Sequence, residues 1–120
     1  MDFKESKPIY LQIVDRICNE IVTGKYPENE RIPSVREYAA IVEVNANTVV
    51  RSYDFLQSSD VIFNRRGIGY FVSEGAIEKI TAMRRESFMN EQLAEFFDEI
   101  DMLRIPIETI VELYKNRNKQ

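Results

Sequence analysis

The chain has 120 residues, 20 acidic against 16 basic ones, a net charge of −4, a single cysteine and no histidine. That length suits one compact domain with an appendage and excludes two large domains. With Cys18 as the one thiol and no imidazole, a disulfide framework and a multi-ligand zinc site within one chain are excluded, no nucleophile and base pair is available to an enzyme, and no cofactor is expected.

The first seven residues are mostly polar, and the opening MDFKESKP lacks the apolar core of a signal peptide. No run approaches the ~18 apolar residues of a membrane span, so no membrane association and a cytoplasmic location are expected. Pro8 suits the first turn of a helix, and Tyr10, Ile13, Val14, Ile17, Ile21 and Val22 form one apolar stripe that Gly24 ends. Cys18 lies in this helical pattern, where an ordinary, partly buried thiol is expected. Residues 26–30 read as a loop, and Arg31 and Ile32 as a short strand before Pro33.

Ser34, followed three residues later by Glu37, is a capping box: each side chain satisfies a backbone N–H left orphaned in the first helical turn. The helix it opens has Val35, Tyr38, Ala39 and Val42 on its apolar face. A second start signal stands at Asn45, after a break of about three residues, the spacing of a helix-turn-helix. The second helix, Ala46 to about Ser58, carries Val49, Tyr53 and Leu56 on one stripe, with Asn47, Thr48 and Arg51 on or beside the opposite face. Val61, Ile62 and Phe63 are then β-formers, Arg66-Gly67-Ile68-Gly69 is turn chemistry, and Tyr70-Phe71-Val72 is β-forming again. This predicts a hairpin with Arg65 and Arg66 near its tip.

From Gly75 the pattern is helical throughout. A long helix is predicted to run through Ile77, Ile80, Arg84, Phe88, Leu93, Phe96, Phe97, Ile100 and Leu103, and a shorter one from Pro106 through Ile107, Ile110, Val111 and Tyr114. The expected fold is mostly α with a small β-hairpin: a winged helix-turn-helix over residues 1–74, followed by a two-helix tail over residues 75–120.

The chemistry concentrates in the middle of the chain. An asparagine can bond an adenine edge twice, a threonine can reach a phosphate or a thymine methyl, and an arginine can bond a guanine or a phosphate. These residues could equally be an ordinary solvated face, but the hairpin that follows holds two adjacent arginines and no acid between Val61 and Val72. A strand tip that approaches phosphates needs that balance.

Pro33-Ser34-Val35-Arg36-Glu37, Val44-Asn45-Ala46-Asn47-Thr48-Val49, Tyr53, Leu56 and Arg66-Gly67-Ile68-Gly69-Tyr70-Phe71-Val72 together resemble, in order and spacing, the winged-helix domain of the GntR family of bacterial transcription regulators. The resemblance covers residues 8–72, and the Pro8-Ile9-Tyr10-Leu11-Gln12-Ile13 opening is similar to its short-tailed, YtrA-like branch. It implies a repressor of a transporter operon, with DNA contacts from Ser34, Arg36, Asn45, Asn47, Thr48, Arg51, Arg65, Arg66 and Gly67. Two positions depart from the family pattern: Glu43 stands at a turn position usually held by glycine, and Val50 where some members carry a base-reading arginine. Larger members carry a separate effector domain; with residues 75–120 reading as a two-helix tail, no large effector domain is expected.

The tail is expected to make a homodimer on a pseudo-palindromic, double-stranded operator. Phe88, Leu93, Phe96, Phe97, Ile100, Leu103, Ile110 and Val111 offer more apolar surface than one short helix covers. The rival is a winged-helix module that binds protein without DNA. The acidic balance favours it, because a DNA-binding domain is usually basic. The wing arginines beside a polar helix face count against it, since a protein-binding surface would more naturally be apolar there.

Overall fold

The computed structural model describes residues 7–118. In chain order these form helix α1 (Ile9–Val22), α2 (Val35–Val42), α3 (Ala46–Ser58), strands β1 (Ile62–Arg65) and β2 (Gly69–Val72), then α4 (Ala76–Ser87), a π-helical turn (Phe88–Gln92), α5 (Leu93–Met102) and α6 (Ile107–Asn116). They divide into two compact units, one ending at Ala82 and the other beginning at Met83. The first unit takes in the start of α4 as well as the hairpin, because Ala76 and Ile80 are fully buried.

In the first unit α3 is central and packs against α1, α2 and β1. Helix α1 buries Ile13, Val14, Ile17, Cys18 and Ile21. Val22, expected on that stripe, is exposed, since it is the last residue of the helix, while Cys18 takes its place in the core. Helix α2 contributes Tyr38, Ala39 and Val42, and α3 contributes Val49, Ser52, Tyr53 and Leu56. The buried hydroxyls are all satisfied. Tyr38 Oη donates to Glu20 Oε1 at 2.5 Å, Tyr53 Oη to the Pro33 carbonyl at 2.6 Å, and Ser52 Oγ to the Tyr10 carbonyl at 2.8 Å. Burial pushes the Tyr38 hydroxyl far up from its ordinary pKa, as does the bond to the Glu20 carboxylate, so it stays a neutral donor.

The turn between α2 and α3 is made by Glu43, Val44 and Asn45. Glu43 closes α2 in the left-handed region, φ 58° and ψ 50°, while its N–H and that of Val44 both bond the Ala39 carbonyl. A glycine would hold this conformation without strain; a side chain costs on the order of 1 kcal/mol there. The glycine usual at this position in the family it resembles therefore has a geometric reason, and this chain closes its turn with Glu43 in its place.

The capping box is present in both halves. Ser34 Oγ accepts from Glu37 N–H at 3.1 Å, and Glu37 Oε1 accepts from Ser34 N–H at 2.9 Å. The bond from the Ser34 backbone, then the one with its side chain, holds the Glu37 carboxyl below its ordinary pKa. A carboxyl depressed in the folded state contributes stability above its unfolded pKa and loses that contribution as pH falls through the folded value. Acid titration of unfolding should therefore show a shallower slope for Glu37→Gln than for the wild type. An unchanged slope would remove the carboxylate from the cap.

β1 and β2 pair antiparallel, Ile62 with Val72, Phe63 with Phe71, Asn64 with Tyr70 and Arg65 with Gly69. The turn closes with Ile68 N–H on the Arg65 carbonyl at 2.9 Å, and Gly67 supplies the φ of +81° the turn requires. The expected short strand before Pro33 is an isolated bridge. Arg31 pairs with Phe71, and Ile32 N–H bonds the Tyr70 carbonyl at 2.9 Å.

The second unit differs from the uninterrupted helix predicted through Leu103. Its backbone stays helical but widens at Phe88–Gln92, where Leu93 N–H reaches back five residues to the Phe88 carbonyl. Among the described residues of this unit Ile100, at 6% exposure, is the one buried hydrophobe.

Candidate nucleic-acid interface

The buried stripe of α3 fixes what it presents outward. With Val49, Ser52, Tyr53 and Leu56 in the core, residues Asn47, Val50, Arg51 and Asp54, at spacings of three and four, share the exposed face. Asn45 caps the helix: its Oδ1 accepts from Asn47 N–H at 2.8 Å, which leaves its amide N–H groups free to donate outward. Thr48 is half-buried beside Asn47, and Arg36 is exposed in the first turn of α2. Ser34, by contrast, has its hydroxyl engaged in the cap of α2.

Arg51 does not stand alone. Its guanidinium lies 4.0 Å from the centroid of the Tyr10 ring, a cation–π contact that holds the long side chain over the start of α1. Pro8, Ile9, Tyr10, Asn47, Thr48 and Arg51 line a shallow cleft of about 360 Å³ there. The buried Ser52 hydroxyl, bonded to the Tyr10 carbonyl with the Thr48 carbonyl also within reach at 3.1 Å, ties the same two helices together. Periodicity places Tyr10 on an apolar stripe and gives no sign of its position beneath Arg51. The aromatic lies 41 positions before the arginine, and no local pattern links them.

The wing is locked to α3 by aromatic contacts. The Tyr70 ring of β2 meets the Tyr53 ring edge-on, centroids 4.9 Å apart, and Tyr53 meets Tyr38 of α2 at 6.4 Å. Arg65 leans over Phe71 at 5.2 Å, while Arg66 and Gly67 occupy the exposed turn. A further cation, Arg31, bridges Phe71 by its backbone and sends its side chain toward Gly69, at the turn end of β2. Its Nε would stand 2.8 Å from a Cβ placed on Gly69, so a side chain there would displace the arginine, and the φ of +143° at Gly69 favours glycine in its own right. In the sequence Arg31 reads only as part of a strand, and the one local sign of its approach is Gly69 after the turn.

A three-helix unit whose last helix exposes a short polar face, followed by a glycine-tipped, arginine-bearing hairpin fixed to that helix, is a winged helix-turn-helix. The chain belongs to the GntR family of bacterial regulatory proteins, whose family model matches residues 9–72. The HTH-type transcriptional repressor YtrA of Bacillus subtilis is 31% identical over 116 residues, spanning 96% of this chain and 88% of that protein. A putative GntR-family transcriptional regulator of Bacteroides thetaiotaomicron, known as a crystal structure, is 51% identical with a TM-score of 0.80, over 91% of this chain and 95% of that one. The DNA-binding domain of AraR, solved in complex with its operator ORR3, is 25% identical with a TM-score of 0.55, over 61% of this chain and 88% of that one. The chain is thus a GntR-type transcription regulator with a helix-turn-helix DNA-binding domain, similar to YtrA over almost its whole length, and not an enzyme. Among the described residues, no helix is long and apolar enough to cross a membrane.

Proposed function

We propose that the protein is a repressor that occupies a pseudo-palindromic operator as a homodimer. Residues 1–74 serve DNA binding and residues 75–120 serve dimerisation. The observation that carries the DNA-binding half is the edge-on contact of Tyr53 with Tyr70, which fixes the arginine-bearing wing to the recognition helix so that both act as one surface. Asn47 and Thr48 lie at the N-terminal turn of α3, which enters a major groove first, and Asn45 adds donors from the cap. Arg36 adds a base or phosphate contact. Arg51, Arg65, Arg66 and the Gly67 backbone meet phosphates or base edges on either side. YtrA, similar over nearly the full chain, is named a repressor, which supports the negative sign of regulation.

The acidic balance resolves by position. Residues 73–120 hold ten acids and seven bases, whereas the wing has two arginines and no acid. Asp54, a turn beyond Val50 on the exposed face of α3, limits the groove-facing part of the helix to its first two turns, because a carboxylate is repelled by phosphates.

Selection of bound sequences from a random DNA pool by the full chain tests the reading directly, and a protein-binding module would enrich nothing. On the selected site, Asn47→Ala and Arg51→Ala should each weaken specific binding by about 1–3 kcal/mol. Arg66→Ala should instead weaken all sequences alike and lower the salt slope by about one unit. Unchanged affinity in all three variants would sink the assigned surface.

A further inference from the structure

Among Asn47, Val50, Arg51 and Asp54, Val50 is the apolar member, 42% exposed, while its neighbour Val49 is fully buried; Phe55, the other exposed hydrophobe of α3, lies beyond Asp54. It sits one turn beyond Asn47 and next to Arg51, in the half of the helix that precedes Asp54. The core stripe does not use it. Nor does helix propensity favour it, since valine at an exposed helical site is poorer than alanine, lysine or arginine. Its β-branch leaves essentially one rotamer in a helix, so the two methyl groups are presented in a fixed direction with almost no ordering cost. In the major groove the apolar feature available to such a group is the C5-methyl of thymine.

We propose that Val50 is a specificity-determining residue that reads a thymine methyl in each operator half-site. The inference rests on the DNA-binding reading above and deepens it. Asn47 supplies the hydrogen bonds of the recognition helix at its N-terminal turn, and Val50 supplies, one turn on, a methyl-to-methyl contact that rejects cytosine and uracil by an unfilled space. Arg51 is drawn by Tyr10 toward the start of α1, which leaves Val50 unshielded on the groove side.

The test changes one methyl group at a time. With the full-length protein and an operator obtained by random-pool selection, each thymine of a half-site is replaced in turn by deoxyuridine, and affinity is measured for wild type, Val50→Ala and Val50→Thr. One thymine should respond with a loss of about fourfold in wild type, the change that corresponds to burying a single methyl(ene) group. The same replacement should leave Val50→Ala unaffected. Val50→Thr, which keeps one methyl, should retain part of the sensitivity. Placing 5-methylcytosine at that position should recover affinity relative to cytosine in wild type alone. If an operator is selected but no thymine couples to Val50, the inference is overturned while DNA recognition stands. If the pool enriches no sequence, both fall.

Discussion

Replacing Tyr53 with alanine should unfold the DNA-binding unit more readily than any other single truncation of α3, at a cost of about 3–5 kcal/mol, the range for deleting a buried aromatic. The ring is fully buried and makes three attachments at once. It meets Tyr38 of α2 at 6.4 Å and Tyr70 of β2 at 4.9 Å, and its hydroxyl donates to the Pro33 carbonyl at 2.6 Å, just ahead of the α2 cap. Removing it leaves a cavity where helix, wing and loop meet. In a unit of this size, with a stability of about 5–15 kcal/mol, that is a large part of the margin. At about 4–8 °C per kcal/mol the melting temperature should fall by at least about 12 °C. Tyr53→Phe separates packing from hydrogen bonding. It keeps the ring and leaves the Pro33 carbonyl without its donor, which should cost about 1–3 kcal/mol. Calorimetry of the two variants decides, and a Tyr53→Ala protein within 1 kcal/mol of wild type would deny the residue this role.

Where both partners of an interaction lie within one turn of chain, the sequence disclosed it. Ser34 and Glu37 are three positions apart and cap α2 as their spacing implies, and Gly67 stands where the wing turn needs a positive φ. What stayed hidden depends on distant or unusual geometry. The stacking of Arg51 on Tyr10 and the approach of Arg31 to Gly69 join segments that no periodicity connects. Asn45 is legible as a helix start, and the structure shows its side-chain oxygen engaged there, accepting from the Asn47 N–H. The π-helical turn is different, because its signal was present. Phe88 and Leu93 are five residues apart, a step too long for neighbours on an α-helical face, and the wider turn accommodates it.

A chain ending after Ala82 should be monomeric, and its affinity for a palindromic operator should fall by about 10²–10⁴-fold through loss of bivalent binding. The endpoint follows from the packing. Ala76 and Ile80 are buried in the first unit, so a chain cut at Ser73 would lose part of its core, whereas one ending at Ala82 keeps it whole. The tail is left with most of its large apolar residues wet. Phe88, Phe96, Phe97, Leu103 and Val111 are all exposed, Leu103 by 62%, and Leu93 and Ile110 are half-covered. Ile100, expected among the dimer contacts, differs from these in being 6% exposed within the single chain. Burying each large apolar side chain contributes about 1.5–3 kcal/mol, so a partner that covers several of these gains enough to hold a dimer together. A second copy is the partner whose surface matches by symmetry. A two-fold axis also places two recognition helices about one DNA turn, or a multiple of it, apart, which is what a pseudo-palindrome requires. Phe97→Asp in the full chain should reproduce the truncation without removing residues, because a carboxylate in an apolar interface would have no partner. Sedimentation equilibrium of the three proteins at micromolar concentration separates the outcomes. A monomeric wild type, or a truncated chain that dimerises as well as the full one, would take the dimerisation role away from the tail.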